Sequence, residues 1–319
     1  MEQYIVDNDI EISQLDLLSD DYFERADSLD DYNESISRPS KSYWQDVWRR
    51  IKKDPLTIGS IIVIAVIALS AIFLPMISPY TYDGQNIDIQ NQSPTLAHIF
   101  GTDKFGRDIF IRILYGARIS LTIGIVTAII SLAIGVIYGG VAGYCGGKVD
   151  STMMRIVDIL IGLPSLLYII LIMMFLGNTL QSILLALCLS SWIEIARIVR
   201  SQVISLKHQD YVLAAKIIGV SDLKILFTHL IPNSIGTIIV TVTFVIPSAI
   251  FSEAFLSFLG IGIQVPMASW GTLANEAIPN IFKYPYQMLF PALAISITMF
   301  ALNFVGDGLR DALDPRLKK

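Results

Sequence analysis

Six runs of roughly 18–24 apolar residues, parted by polar stretches, leave this chain few ways to fold. A bilayer's hydrocarbon core is about 30 Å thick, which a helix of about 20 residues crosses. Within it every backbone N–H and C=O must find its partner inside the protein, so only helices and closed barrels are stable there. Continuous apolar runs select helices. The spans fall at about Leu56–Ile77, Ala117–Val141, Ile156–Leu176, Leu180–Ile198, Ser234–Phe258 and Met288–Val305. With 53% hydrophobic and 16% charged residues, the composition excludes a soluble domain. The expected class is an all-α polytopic membrane protein.

The net charge of −5 is segregated. Residues 1–40 carry twelve acidic residues and two Arg, whereas the rest carries sixteen acidic and twenty-one basic residues. The leader is too polar to offset its ordering entropy and is expected to be disordered. It lacks the basic start and apolar core of a signal peptide. Residues 41–55 differ. Trp44, Val47, Trp48 and Ile51 repeat at helical spacing among Lys41, Arg49, Arg50, Lys52 and Lys53, and Ser42 with Gln45 has the form of a capping box. This predicts an amphipathic helix in the headgroup zone, with packing on protein as the alternative. Asp54-Pro55 then opens the first span.

Lys and Arg set the orientation. With the N-terminus inside, the inner segments hold eighteen of the twenty-three basic residues, and the outer loops hold only Lys104, Arg107, Arg112, Arg118 and Lys283. Both termini, and the island 199–232, are therefore expected in the cytosol of a multi-pass membrane protein.

Few residues suggest chemistry. Cys145 and Cys188 form neither a disulfide framework nor a metal site. Gly147-Lys148 runs into Val149, and Ala142 stands where a phosphate loop needs its first glycine, so no ATP site is expected in this chain. His98, His208 and His229 are scattered, with no acid or nucleophile at motif spacing. No catalytic residue, metal or nucleic-acid partner is expected.

The island contains YVLAAKIIGVSDLKILFTHLIPN, residues 211–233, which reads as helix, turn, helix. Tyr211, Ala215 and Ile218 give the first helix an apolar side. Gly219 is its left-handed stop. Ser221 can cap the second helix, whose Leu223, Leu226, Phe227, Leu230 and Ile231 repeat at helical spacing, and Pro232 is expected to end it.

This stretch resembles the EAA loop of the membrane subunits of ABC importers: Glu-Ala-Ala, three residues, Gly, nine residues, then Ile-x-Leu-Pro. Ala214, Ala215, Gly219 and Pro232 match at the right spacing, whereas Leu213, His229 and Ile231 replace Glu, Ile and Leu. Leu213 cannot make the salt bridge that a Glu would offer. The resemblance extends over residues 41–319. Trp44–Pro55, Gly101–Asp108, Gly116–Leu121, Glu253–Gly260, Ser269–Gly271 and Asp311–Arg316 are similar to the C-type membrane subunit of oligopeptide and dipeptide permeases.

That resemblance implies the type I ABC importer fold, with six helices and the first outside a five-helix core. Its layout would be leader 1–40, interfacial helix 41–55, first span and external loop 56–112, core 113–307 and cytosolic tail 308–319. It implies a second, homologous permease subunit, two cytosolic ATPases that bind the ATP and Mg, and an extracellular peptide-binding protein. Tyr211, Ala214, Ala215, Gly219, Ser221, Asp222 and Pro232 would form the ATPase seat. Two other readings of the chain are import of another small cargo, such as a nickel chelate or glutathione, and a membrane sensor or scaffold.

Within the spans, Glu253 is the most telling charge, because an ionisable group in lipid faces a cavity or a partner. It can line the pathway or bond a neighbouring helix. Pro247 is expected to kink its span toward the pathway and Asn303 to bridge helices. Glu194 and Asp158 read as structural charges near inner span ends. Lys104, Arg107, Asp108 and Trp270 can dock the binding protein, and an internal role for Arg107 and Asp108 is the alternative. A transporter should retain most uptake after deletion of residues 1–40; a sensor should lose its function, which an uptake assay on the truncated chain decides.

Overall fold

The computed structural model describes residues 43–264 and 267–314. The acidic leader, the Ser42 half of the capping box, Pro266 and the last five residues lie outside the described residues.

The elements are helices with capped starts. α1 (Tyr43–Lys53) leads into α2 (Pro55–Ile77), where Asp54 accepts hydrogen bonds from the N–H groups of Leu56 and Thr57 and Pro55 occupies the first turn. The Thr57 hydroxyl also donates to Asp54 and, with those amides, holds its carboxyl below the usual range. α3 (Ile109–Cys145), α4 (Gly147–Gly162), α5 (Ser165–Leu176) and α6 (Leu180–Leu206) follow. α7 (Asp210–Ile217), α8 (Asp222–Ile225), a π turn (Leu226–Leu230) and α9 (Ile231–Asn233) lead into α10 (Ile235–Phe258). α11 (Trp270–Ala277) is short and α12 (Tyr286–Leu313) closes the described chain. Five of these helices are long and apolar enough to cross a membrane, and α4 with α5 make a sixth span if taken together.

Two expectations about these spans need correction. α3 begins at Ile109 rather than near Ala117, because Asp108 caps it by accepting from the Ile111 N–H at 2.8 Å. Its first two turns, counted as loop by hydropathy, thus place Arg112 and Arg118 on a helix. The third span is not one rod: α4 and α5 meet at 85°. Pro164 has no N–H to continue the ladder and holds Leu163 extended, at φ −94° and ψ 131°. Pro247, by contrast, sits buried within a continuous α10.

α1 keeps only half of its predicted stripe in protein. Val47 and Ile51 pack with Ala312 and Leu313, whereas Trp44 and Trp48 are exposed.

The closest helix pair is α3 with α6, and glycine sets their approach. Gly135, Gly139 and Gly143 stand four residues apart on one face of α3. A Cβ on Gly139 would lie 2.1 Å from the Ala196 carbonyl oxygen, and one on Gly143 would lie 2.8 Å from that of Arg200. Small residues at such a seam let backbones pack where lipid supplies no hydrophobic drive between helices. α10 packs on α3 and α12, α2 on α3 and α12, and α11 between α10 and α12.

Gly139→Ala is expected to force this pair apart at a cost of about 2 kcal/mol. Gly59, where an added Cβ meets nothing within 4 Å, supplies the control. The thermal unfolding midpoint in detergent should fall for Gly139→Ala and hold for Gly59→Ala.

Candidate functional site

Two polar constructions stand out from the apolar bundle: the hairpin 210–233 and the loop before α3.

The hairpin turns at Gly219, whose φ of +82° is left-handed. The Gly219 N–H donates to the Lys216 carbonyl and the Val220 N–H to that of Ala215, both at 3.0 Å, closing the helix end by two reversed bonds. Ser221 begins α8 by position, through its carbonyl, while its side chain makes no capping bond. Pro232 does not end the helical run as expected. The preceding turn widens, with the Ile231 N–H reaching the Leu226 carbonyl, and the Asn233 side chain donates to the His229 carbonyl at 2.6 Å. The wide turn accommodates the proline ring, and the chain passes on into α10.

The apolar side read from Tyr211, Ala215 and Ile218 is split between two faces of the hairpin. Val212 and Ala215 are buried, with Ile225, Leu226 and Leu230, against Ile195, Val199 and Val203 of α6 and Ile238 of α10. Tyr211, which the resemblance puts in the ATPase seat, and Ile218 are exposed together with Leu213, Ile217, Leu223 and Phe227, whereas Ala215 of that seat is turned inward. Ala214 is exposed between them. A face this apolar in water needs a partner. Polar ties fix the hairpin further: the Tyr144 hydroxyl donates to Asp222, and the Lys216 ammonium lies 5.4 Å from the Tyr144 ring centre.

The loop before α3 is a knot of buried charge. Asp103 accepts from Arg107 Nε at 2.6 Å and Arg112 Nη1 at 2.7 Å, and Glu276 accepts from the same two guanidinium groups at 2.6 and 2.7 Å. His98 Nδ1 lies 2.9 Å from the capping Asp108. The other Asp103 oxygen accepts from the N–H groups of Phe105 and Arg107. Arg107, Asp108 and Arg112 are all under 5% exposed. The docking role suggested for Arg107 and Asp108 is therefore overturned in favour of the internal one. Trp270 is also corrected: it is 1% exposed, and its Nε1–H donates to the Ile113 carbonyl at 3.0 Å. Only Lys104 of that group reaches the surface, half-buried beside Phe105.

Glu253 is fully buried, accepting from Ser120 of α3 at 3.0 Å and Ser257 at 2.8 Å. It bonds a neighbouring helix. Asn303 is half-buried and makes no side-chain bond to another helix among the described residues. Glu194, read as structural, is exposed. Sequence reasoning missed Glu276, whose partners lie more than 160 residues away.

This architecture, a helical bundle with an apolar hairpin projecting from it, is that of a transport permease. Residues 132–319 match the family described as binding-protein-dependent transport system inner membrane component, and the chain belongs to it. It is a membrane-embedded permease subunit rather than a catalytic one. Residues 42–94 match the N-terminal TM domain of oligopeptide transport permease C. The chain is 49% identical to the dipeptide transport system permease protein DppC of Bacillus subtilis, over 90% of both chains. It is likewise 49% identical to the oligopeptide transport system permease protein OppC of that organism, over 90% of this chain and 94% of the relative. The Escherichia coli K12 OppC is 40% identical over 91% and 97%. A solved chain of the MetNI methionine ABC transporter, inward-facing, shares the fold with a TM-score of 0.53 at 17% identity, over 65% of this chain and 96% of that one.

Asp103→Ala leaves two buried guanidinium groups sharing one acid. The expected loss is about 3–5 kcal/mol, read as a lower thermal midpoint and lower yield of folded protein; Asp103→Asn should lie between.

Proposed function

We propose that the chain forms half of the translocation pathway of an ATP-driven importer of oligopeptides or dipeptides. A second, homologous permease subunit supplies the other half, two cytosolic ATPases bind the ATP and Mg, and an extracellular peptide-binding protein delivers cargo. Its relatives' peptide cargo and near full-length similarity support the cargo class.

The single observation that carries the mechanism is the hairpin's split character. Its inner face is packed into α6 and α10, and its outer face leaves Leu213, Ile217, Ile218 and Leu223 exposed among the described residues. An ATPase cleft that receives this outer face can pull on the bundle through the inner one. Ala214, small and exposed, lets the partner approach closely, and Gly219 turns the chain without a side chain in the way. On the opposite side, Lys104 is the remaining candidate for contact with the binding protein.

Ile217 is 85% exposed, so Ile217→Asp should leave folding intact. Co-purification with the ATPases and uptake of labelled peptide should each fall about tenfold or more. Gly219→Val strains a left-handed backbone, and should lower uptake while the subunit still inserts. Cysteine crosslinking from position 217 to the ATPase supplies the direct check. Crosslinks to no ATPase, with normal uptake by both variants, would refute the seat.

A further inference from the structure

Three cavities, of about 400, 540 and 610 Å³, open along the bundle, and one side chain lines all three. That residue is Glu194. It stands mid-way along α6, about 20 Å from either end at 1.5 Å per residue, and within the apolar run Leu180–Ile198 toward its inner end. Yet it is exposed, and it makes no hydrogen bond or ion pair to any described residue. The other acid of the bundle interior, Glu253, is held by two serine hydroxyls, so the fold is able to satisfy a carboxylate when it buries one. Arg310 lines one of these cavities with Glu194 and Arg197 another, and neither forms an ion pair with it among the described residues.

The walls around it are of two kinds. Ser165, Ser190, Ser191, Ser248 and Ser252 form a hydroxyl-rich strip. Ser190 and Ser252 donate to carbonyls of their own helices, Leu187 and Ser248, which leaves lone pairs on those oxygens to accept from a ligand's N–H groups. Phe244, Phe251 and Phe255 provide an apolar side. The volumes are those of small-molecule sites.

We infer that Glu194 receives the α-ammonium group of the passing peptide, with the serine strip accepting its backbone amides. This deepens, and rests on, the peptide cargo proposed above. The sign of the charge favours that end of the cargo. An unpaired acid within a span faces a cavity or a partner, and the amino terminus is the one cation that peptides of any sequence share. The hydroxyls and the phenyl rings select no particular side chain, so the groove would recognise the class of cargo and not its sequence. Glu194 would act as a positioning and specificity residue, with no bond made or broken.

The test uses the assembled transporter in vesicles, with saturating loaded binding protein. Neutral tripeptides with free termini carry a photoreactive diazirine side chain at either the first or the last residue. In the wild type the first-residue probe should crosslink to α6 near position 194. Glu194→Gln should lower uptake about tenfold and abolish that crosslink, with Glu194→Asp retaining more of both. ATP hydrolysis stimulated by loaded binding protein should stay within twofold, which a merely structural role would not predict. Uptake by Glu194→Gln within twofold of wild type with the first-residue crosslink intact would overturn the inference. Loss of the second permease subunit from purified Glu194→Gln complexes would overturn it also, by making Glu194 an interface residue. A wild-type complex that imports another cargo and no peptide would instead remove the cargo assignment, and this inference with it.

Discussion

Lipid gives a polar group nothing to bond to, and the arrangement of this chain follows from that deficit. Backbone groups are met by helices. The helices, gaining little from burying apolar surface against apolar lipid, pack where backbones can approach, along the glycine seam between α3 and α6. Side chains that cannot be satisfied in lipid are moved to the ends of the bundle or into its open groove.

Charge is handled differently in each place. Before α3, two arginines and two acids neutralise one another in a knot that joins residues 103–112 to α11. Such a knot is a poor source of net stability, because desolvation consumes much of the attraction, but it fixes geometry strongly. It holds the start of α3 and α11 as one piece. Inside the bundle, Glu253 stitches α10 to α3 through serine. In the groove Glu194 is left open.

Much of this was legible beforehand. The spans declared themselves by length and hydropathy, and the hairpin by Gly219, whose left-handed backbone the spacing of the loop required. What escaped were features decided by contacts distant in sequence. For Arg107 and Asp108 the docking and internal roles stood side by side, and Trp270 looked like a surface anchor; Glu276 holds Arg107 inside, His98 pairs with Asp108, and the Ile113 carbonyl takes the Trp270 N–H. The hairpin's two faces are both apolar, and periodicity alone cannot say which of them meets protein. The break at Pro164 was hidden within an unbroken apolar run, since hydropathy is blind to a missing N–H.

The wide turn at Leu226–Leu230 has a consequence for the groove. One residue corresponds to about 100° of helix rotation, so the extra residue in that turn sets the angular phase of everything after it. With that phase, Ser248 and Ser252 border the open cavity while Glu253, the very next residue, faces α3. Were the turn wound as an ordinary helix, α10 would rotate by one position: Ser248 and Ser252 would take the buried places of Ala249 and Glu253, and Glu253 that of Ala254, away from its serine partners. A local irregularity beside the projecting hairpin thus decides the chemistry of a wall several turns further into the membrane.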